Sequence, residues 1–229
     1  MTNYWKDHYD SNANNFTYSL LKQVGKTING QDVSEHQINL IIKRISMALQ
    51  LSSKDSVIDL CCGNGLITAR ISETVETISG FDFSERLIET ARKHNNAFNI
   101  KYYVSDVLDL NEEILKSSTK FYMYEAVQHF SPKIFIELLK HFSIMENGTR
   151  IYMGGIPDKE KLRLFYDTNE KYEYYLLCEK NNKPHLGYWW FEPELTNHAV
   201  NNGFYVTKLP HESQLYTDYY RFDLLLEKC

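Results

Sequence analysis

The sequence predicts an α/β domain: a mostly parallel sheet with helices on both faces and an antiparallel ending. Three observations predict it. Short apolar runs alternate with segments of helical periodicity from Ser34 to Met153. The first of these runs ends in an acid and a turn with two glycines, Asp59-Leu60-Cys61-Cys62-Gly63-Asn64-Gly65. The last two runs, 204–208 and 221–227, are joined by a stretch with no convincing helix. Strands that alternate with helices pair in parallel, whereas two strands without a crossover helix pair antiparallel.

Each element has its own signal. Residues 1–33 are polar, rich in Asn, and carry Tyr4, Trp5, Tyr9, Phe16 and Tyr18; they read as a partly helical arm. Ser34 suits the N-cap of the first strong helix, in which Ile38, Ile41, Ile42, Ile45 and Leu49 recur at helical spacing. Ser56–Leu60 is the first core strand, and Leu66–Ser72 the helix after it. Thr77–Phe81 is the second strand; Ser84 caps the next helix, with Leu87, Ile88 and Ala91 on one face. Ile100–Val104 and Phe121–Tyr124 are the third and fourth strands. Ser131 and Pro132 suit the N-cap and first turn of a helix, whose apolar face is Phe135, Leu138, Leu139 and Phe142. Arg150–Met153 is the fifth strand. The segment 157–191, with KYEYYLL and GYWWFEP, fits no strand–helix unit and reads as an insertion that caps the sheet edge. A helix over Glu192–Asn201, stopped by Gly203, and the strands Phe204–Lys208 and Arg221–Glu227 close the chain. The reading is a single domain: arm 1–33, core 34–156, cap 157–191, and C-terminal helix and strand pair 192–229.

Composition bounds the function. The 229 residues are 43% apolar and 24% charged, enough for a sizeable core and unlike a disordered chain. The net charge of −5 lacks the basic surplus of a nucleic-acid binder, so no nucleic-acid partner is expected. No apolar run nears the ~18 residues of a membrane span, and the first twenty residues lack a signal-like apolar stretch; a cytoplasmic protein with no membrane association is expected. The four cysteines form no CxxC pair and the histidines show no zinc-ligand spacing, so no metal is implied. The aromatic content of 14% is mostly core, with some rings available to line a pocket.

Three acids end three successive strands. Asp59 precedes the Gly63/Gly65 turn, whose glycines allow positive φ and close approach of a ligand. Asp82, in Gly80-Phe81-Asp82-Phe83-Ser84, can accept hydrogen bonds from both hydroxyls of a ribose. Asp106, in Ser105-Asp106-Val107, can meet an adenine amino group. Each alone reads equally well as a turn acid or helix cap; three in register with a glycine turn, at the carboxyl ends where open α/β sheets bind ligands, do not.

VIDLCCGNG, GFDFS and SDV together resemble the class I S-adenosylmethionine (SAM)-dependent methyltransferases, over about residues 35–155 and the terminal strand pair. The resemblance implies a Rossmann-like seven-stranded sheet, mostly parallel with an antiparallel C-terminal strand. It implies SAM as cofactor, with Asp59, Cys61 and the Gly63/Gly65 turn at its methionine end and Asp82 on the ribose. Phe83 would lie beside the adenine, and Asp106 and Val107 at the adenine edge. Glu125 and Ala126 would line the methionine side. The family often has Gly where Cys61 stands, and the fourth strand, Tyr122-Met123-Tyr124-Glu125, lacks a common acidic start.

The acceptor is read less directly. His129 follows the fourth strand and is the candidate general base, with a packing or capping histidine as the plain reading; His185, His198 and His211 are weaker candidates. Lys26, in the glycine-containing arm, is placed to pair with the methionine carboxylate or an anionic acceptor, against the reading of a solvated loop lysine. Arg221 and Tyr220 are further candidates for the acceptor pocket, and Trp5, Tyr9 and Tyr18 could join some of Tyr188–Phe191 in a lid wall. The sequence after the fourth strand lacks both the Pro-Pro stretch of base amino-methyltransferases and the paired glutamates of protein arginine methyltransferases. A small-molecule acceptor is therefore expected, methylated on oxygen or nitrogen, with sugars and surface-glycan precursors among the candidates. The alternatives are a non-catalytic SAM-binding sensor or partner subunit, and an NAD-dependent oxidoreductase, against which stand Thr68 at the third small position and the antiparallel ending.

Overall fold

The computed structural model of the chain describes residues 3–210 and 214–229. His211 therefore lies outside the described residues. The arm opens with α1 (Asn3–Asn15), α2 (Leu20–Gln23) and a two-rung hairpin of β1 (Thr27–Ile28) and β2 (Gln31–Asp32). The core follows as α3 (Glu35–Leu49), β3 (Ser56–Leu60), α4 (Leu66–Ser72), β4 (Thr77–Asp82), α5 (Glu85–His94) and β5 (Ile100–Val104). It continues through α6 (Glu112–Lys116), β6 (Lys120–Tyr124), α7 (Pro132–Phe142) and β7 (Arg150–Pro157). The short α8 (Leu162–Phe165) and the longer α9 (Asn169–Lys180) follow in the segment 157–191, and α10 (Glu192–Val200), β8 (Phe204–Leu209) and β9 (Arg221–Lys228) complete the chain.

Seven strands make one sheet in the order β5-β4-β3-β6-β7-β9-β8. β3 to β7 run parallel to one another, and β9 enters antiparallel between β7 and β8. This is the Rossmann-like sheet the sequence predicted, antiparallel ending included. The chain reverses direction of growth between β3 and β6, so the carboxyl ends of β3, β4 and β6 flank the crevice that such a switch point leaves.

The helical periodicities resolve into two layers. Ile38, Ile41, Ile45 and Leu49 of α3 pack with Ile71 of α4 and Ile88 and Ala91 of α5 on one face of the sheet. Phe135, Leu138, Leu139 and Phe142 of α7 pack with Leu195 and Ala199 of α10 on the other. Each fully buried side chain of this size contributes roughly 1.5–3 kcal/mol, so the apolar faces, not helix propensity, hold these helices in place. Two of the three predicted caps form, the hydroxyls of Ser84 and Ser131 accepting from the amides of Leu87 and Ile134; Ser34 stands at the N-cap of α3 without a side-chain hydrogen bond to it.

Two features were not legible. Between Met153 and Ile156 the β7–β9 register shifts, and Gly155 takes φ +68 there with its N–H on Asp223 Oδ1 at 2.7 Å. KYEYYLL belongs to α9, which has no buried residue and therefore no apolar face to announce it. The aromatic run lies outside any strand and divides: Trp190 is buried in the main core, Trp189 in a satellite cluster with Tyr166 and Tyr220, and Phe191 is exposed. Among the described residues no helix is long and apolar enough to cross a membrane.

Candidate functional site

The site is built on the turn that leaves β3. Leu60 ends the strand; Cys61, Gly63 and Gly65 then take φ of +61, +57 and +75 before α4 begins. Left-handed backbone is natural for glycine but costs a residue with a Cβ about 1–2 kcal/mol. The strain falls on Cys61. Cys61→Gly is expected to leave stability within about 1 kcal/mol of the parent, because relieved strain offsets the freer unfolded chain. Cys61→Val should lie about 1–2 kcal/mol below the glycine variant, since a β-branched residue tolerates this region worst. Urea midpoints of the three proteins check the order.

The two glycines do different work. The Gly63 N–H donates to Asp82 Oδ2 at 2.9 Å, and a Cβ on Gly63 would meet Val24 Cγ1 at 3.0 Å. A Cβ on Gly65 would instead lie 2.4 Å from the Tyr102 hydroxyl. Gly65 does not line the cavity described below, so its necessity is one of packing. Asn64 between them is fully buried and donates to the Leu20 carbonyl at 2.8 Å and Gln23 Oε1 at 2.9 Å, tying arm to turn. Sequence reasoning passed over it as a turn residue; an amide inside a glycine turn is the signal that was available.

Asp82 is held on both oxygens. Besides Gly63, the Ser84 N–H donates to Oδ1 at 2.9 Å. Burial nevertheless pushes its carboxyl up to about 6, against the pull of the two amides. Asp59 is buried deeper, and its Oδ2 accepts from Thr68 Oγ1 and Tyr122 Oη, both at 2.6 Å. Burial raises Asp59 to about 7. The folded protein thus keeps a proton that the unfolded chain releases near pH 4. Stability falls as pH rises from about 4 to 7, by on the order of 4 kcal/mol for this group. Asp59→Asn keeps one oxygen to accept both hydroxyls; it should be more stable than the parent at pH 8 and show a shallower decline between pH 5 and 8 in urea titrations.

Asp106 caps the turn after β5 by accepting from the Leu108 N–H at 3.1 Å, and its charge reaches Asp82. Neither Asp106 nor Val107 lines the cavity; Val107 is buried in the main core beside Phe81 and Leu60. Phe83 does line it, next to Asp82.

Over these strand ends lies α1. Its Trp5, His8, Tyr9 and Asn12 roof a cavity of about 1100 Å³ of empty space, the solvent at its mouth included. Asp10 anchors the helix by accepting from Ser84 Oγ at 2.5 Å. Tyr9 Oη lies 3.0 Å from His129 Nε2, and the Trp5 and His129 rings are 4.1 Å apart. Tyr18, expected in this wall, is 71% exposed and does not line the cavity, whereas His185 and Leu186 of the segment after α9 do. His198 is half-buried on α10 beside Glu194, outside the cavity.

At the far end stands a charged group that the topology assembles. Glu125 follows β6 with φ +52, and its side chain passes over Gly155, where a Cβ would sit 2.6 Å from Glu125 Cγ. It meets the ammonium of Lys26, which is buried rather than solvated. Burial pushes the Lys26 ammonium down, while for Glu125 the two cations Lys26 and Arg221 outweigh burial and hold the carboxyl below its ordinary value. Arg221, first residue of β9, donates through Nη1 to the Gly155 carbonyl that the bulge turns inward. Burial, with Arg221, His8 and Lys26 adding to it, pushes His129 down to about 3, so its ring is neutral at neutral pH. Five buried polar atoms of the lining have no hydrogen-bond partner: Asn64 Oδ1, Glu125 Oε1, Gln128 Oε1, His129 Nδ1 and Arg221 Nε. Buried polar atoms without partners are costly, and such a cluster is what a polar ligand would satisfy.

Known proteins resemble this chain in part of its sequence and in its fold. Residues 57–144 match the family model of a methyltransferase domain. A 23S rRNA (uracil-C5) methyltransferase of Francisella tularensis is 32% identical over 76 residues, 32% of this chain and 17% of the relative. A ubiquinone biosynthesis O-methyltransferase of Coxiella burnetii is 26% identical over 156 residues, 62% of this chain and 61% of the relative. The chain thus spans under two thirds of the length of either. Magnesium protoporphyrin IX methyltransferase from Synechocystis, solved with S-adenosylhomocysteine (SAH), superposes with a TM-score of 0.67 at 13% identity, covering 98% of both chains. A SAM-dependent methyltransferase from Anabaena variabilis does so with a TM-score of 0.67 at 17% identity, covering 99% of this chain and 94% of its own. At these identities the likeness is one of fold.

Proposed function

We propose, for a chain that carries a class I SAM-dependent methyltransferase domain in a seven-stranded Rossmann-like sheet, that it transfers a methyl group from SAM to an oxygen or nitrogen of a small molecule. The observation that carries the reading is Asp82: a carboxylate at the end of β4, oriented by the amides of Gly63 and Ser84, on the wall of a cavity at the switch point. Ribose hydroxyls donating to its remaining lone pairs would complete that site. Phe83 supplies an apolar surface beside it, and Gly63 and Cys61 leave the backbone approachable. Lys26 and Glu125 offer opposite charges to the carboxylate and ammonium of the methionine end. Asp106 and Val107, outside the lining, would act by shaping the adenine end.

The bound donor supplies an electrophilic methyl and its own leaving group. The protein's task is then orientation and exclusion of water. The roof of α1 excludes water, and Trp5, Tyr9 and Tyr124 offer ring faces on which a flat acceptor or a sugar ring would stack. His129 is the candidate to take a proton from an acceptor hydroxyl, through the unpartnered Nδ1, in the tautomer whose Nε2–H donates to Tyr9 Oη; its ring is neutral, but its low basicity makes position its main contribution. A small acceptor fits the net negative chain and the roofed cavity better than a nucleic acid does; a sugar or glycan precursor remains one member of that class. Isothermal titration with SAH tests the reading: one-site binding is expected, and its absence would overturn it.

A further inference from the structure

The buried guanidinium of Arg221 keeps a donor unspent: its Nε is buried without a hydrogen-bond partner among the described residues. The residue is 5% exposed, lines the cavity, and spends Nη1 on a carbonyl. Its nearest carboxylate oxygen, Glu125 Oε1, stands 3.9 Å from Nε, too far for a hydrogen bond, and neither atom has another partner. Glu125 meanwhile gives its other oxygen to Lys26. The group therefore holds two cations and one anion; the zwitterionic methionine end of the donor, set against Lys26 and Glu125, adds one charge of each sign, so the surplus positive charge stays on Arg221. A buried guanidinium wants a planar oxyanion, which its fork meets with two parallel hydrogen bonds. It does not want a cationic group, and a dianion would overshoot the single surplus charge and face Glu125 and Asp82.

We propose that Arg221 reads a carboxylate on the methyl acceptor, so that the substrate is a small carboxylic acid; the inference rests on the methyltransferase reading for calling that ligand the acceptor. The architecture supports a built subsite. Gly155 at the β7 bulge both admits the Glu125 side chain and presents the carbonyl that orients the guanidinium, and the Tyr220 ring lies 4.9 Å beneath it. Trp5, Tyr9 and Tyr124 would flank the body of the acid. Arg221 is a specificity residue here, and the transferred carbon goes to whichever oxygen or nitrogen of the bound acid faces the donor.

Three probes of one shape and different charge test this: benzoate, benzamide and benzylamine, added to the SAH-saturated protein, with phenyl phosphate as a fourth. Benzoate is expected to bind at least about 5-fold more tightly than the other three by titration calorimetry. In Arg221→Met that preference should vanish, and in Arg221→Lys, which keeps charge without the fork, it should shrink. A preference for benzylamine or phenyl phosphate, no binding of benzoate, or an unchanged benzoate preference in Arg221→Met overturns the proposal. Failure of SAH to bind is a separate result, which sinks the donor site; the benzoate preference measured without SAH then still decides whether Arg221 reads an acid.

Discussion

Lys26→Met is expected to cost about 3–5 kcal/mol of folding stability, the loss typical when one member of a buried ion pair is removed. The lysine is 4% exposed and its ammonium lies directly on Glu125, with the Tyr124 ring 4.7 Å away. Methionine fills the volume but leaves a carboxylate inside the protein. Among the described residues Arg221 is the cation left near it, 3.9 Å off and without a hydrogen bond. Glu125 also holds a left-handed backbone that nothing but its surroundings stabilises. Two further variants separate charge from packing. Glu125→Gln should cost less, because the buried ammonium it strands can release its proton more readily, burial having already lowered its pKa. The double variant should recover a good part of the Lys26→Met loss, giving a coupling of more than about 1 kcal/mol in urea titrations. A Lys26→Met protein within 1 kcal/mol of the parent would mean that the pair does not form.

Asp82→Ala should weaken SAH binding by about 1.5–3 kcal/mol, some 10- to 150-fold, since two ribose hydroxyls lose a charged acceptor. Part of the loss comes from the loops, for Asp82 also fastens Gly63 and Ser84. Ser84 in turn carries the anchor of α1 through Asp10. A melting curve of the apo variant therefore belongs beside the titration. The same carboxyl predicts a pH profile. Burial raises it to about 6, so the better acceptor, the ionised form, fills in above that pH. Affinity of the parent for SAH should rise between pH 5 and about 7.5, and that rise should be smaller in Asp82→Ala. Unchanged affinity in the variant would remove Asp82 from the site.

Much of this was visible in the chain as written. The strands Ser56–Leu60 and Ile100–Val104 and the stripe on α7 follow from local patterning, because a buried strand must be apolar and a packed helix must be apolar on one face. The acids Asp59 and Asp82 stand where their motifs put them. Asp59, however, spends its Oδ2 on Thr68 and Tyr122, neighbours no motif specifies. Gly65 reads as a ligand-approach glycine, yet its Cβ position is occupied by Tyr102 of β5. Helix α9 was missed because it has no buried face, and the arm's role as a roof because nothing local in Trp5 or Tyr9 says what they will cover.

The succession of strands and helices along the chain, the antiparallel ending and the glycine turn after the first core strand were determined by the sequence alone, since periodicity and turn chemistry act over a few residues. Which groups share the far end of the cavity was decided only in three dimensions. Lys26 comes from the arm, Glu125 from the end of β6 and Arg221 from the last strand, and a bulge at Gly155 makes room for them. Their charges perturb one another because burial strips away the water that would screen them, and neither burial nor distance is written in the order of the residues.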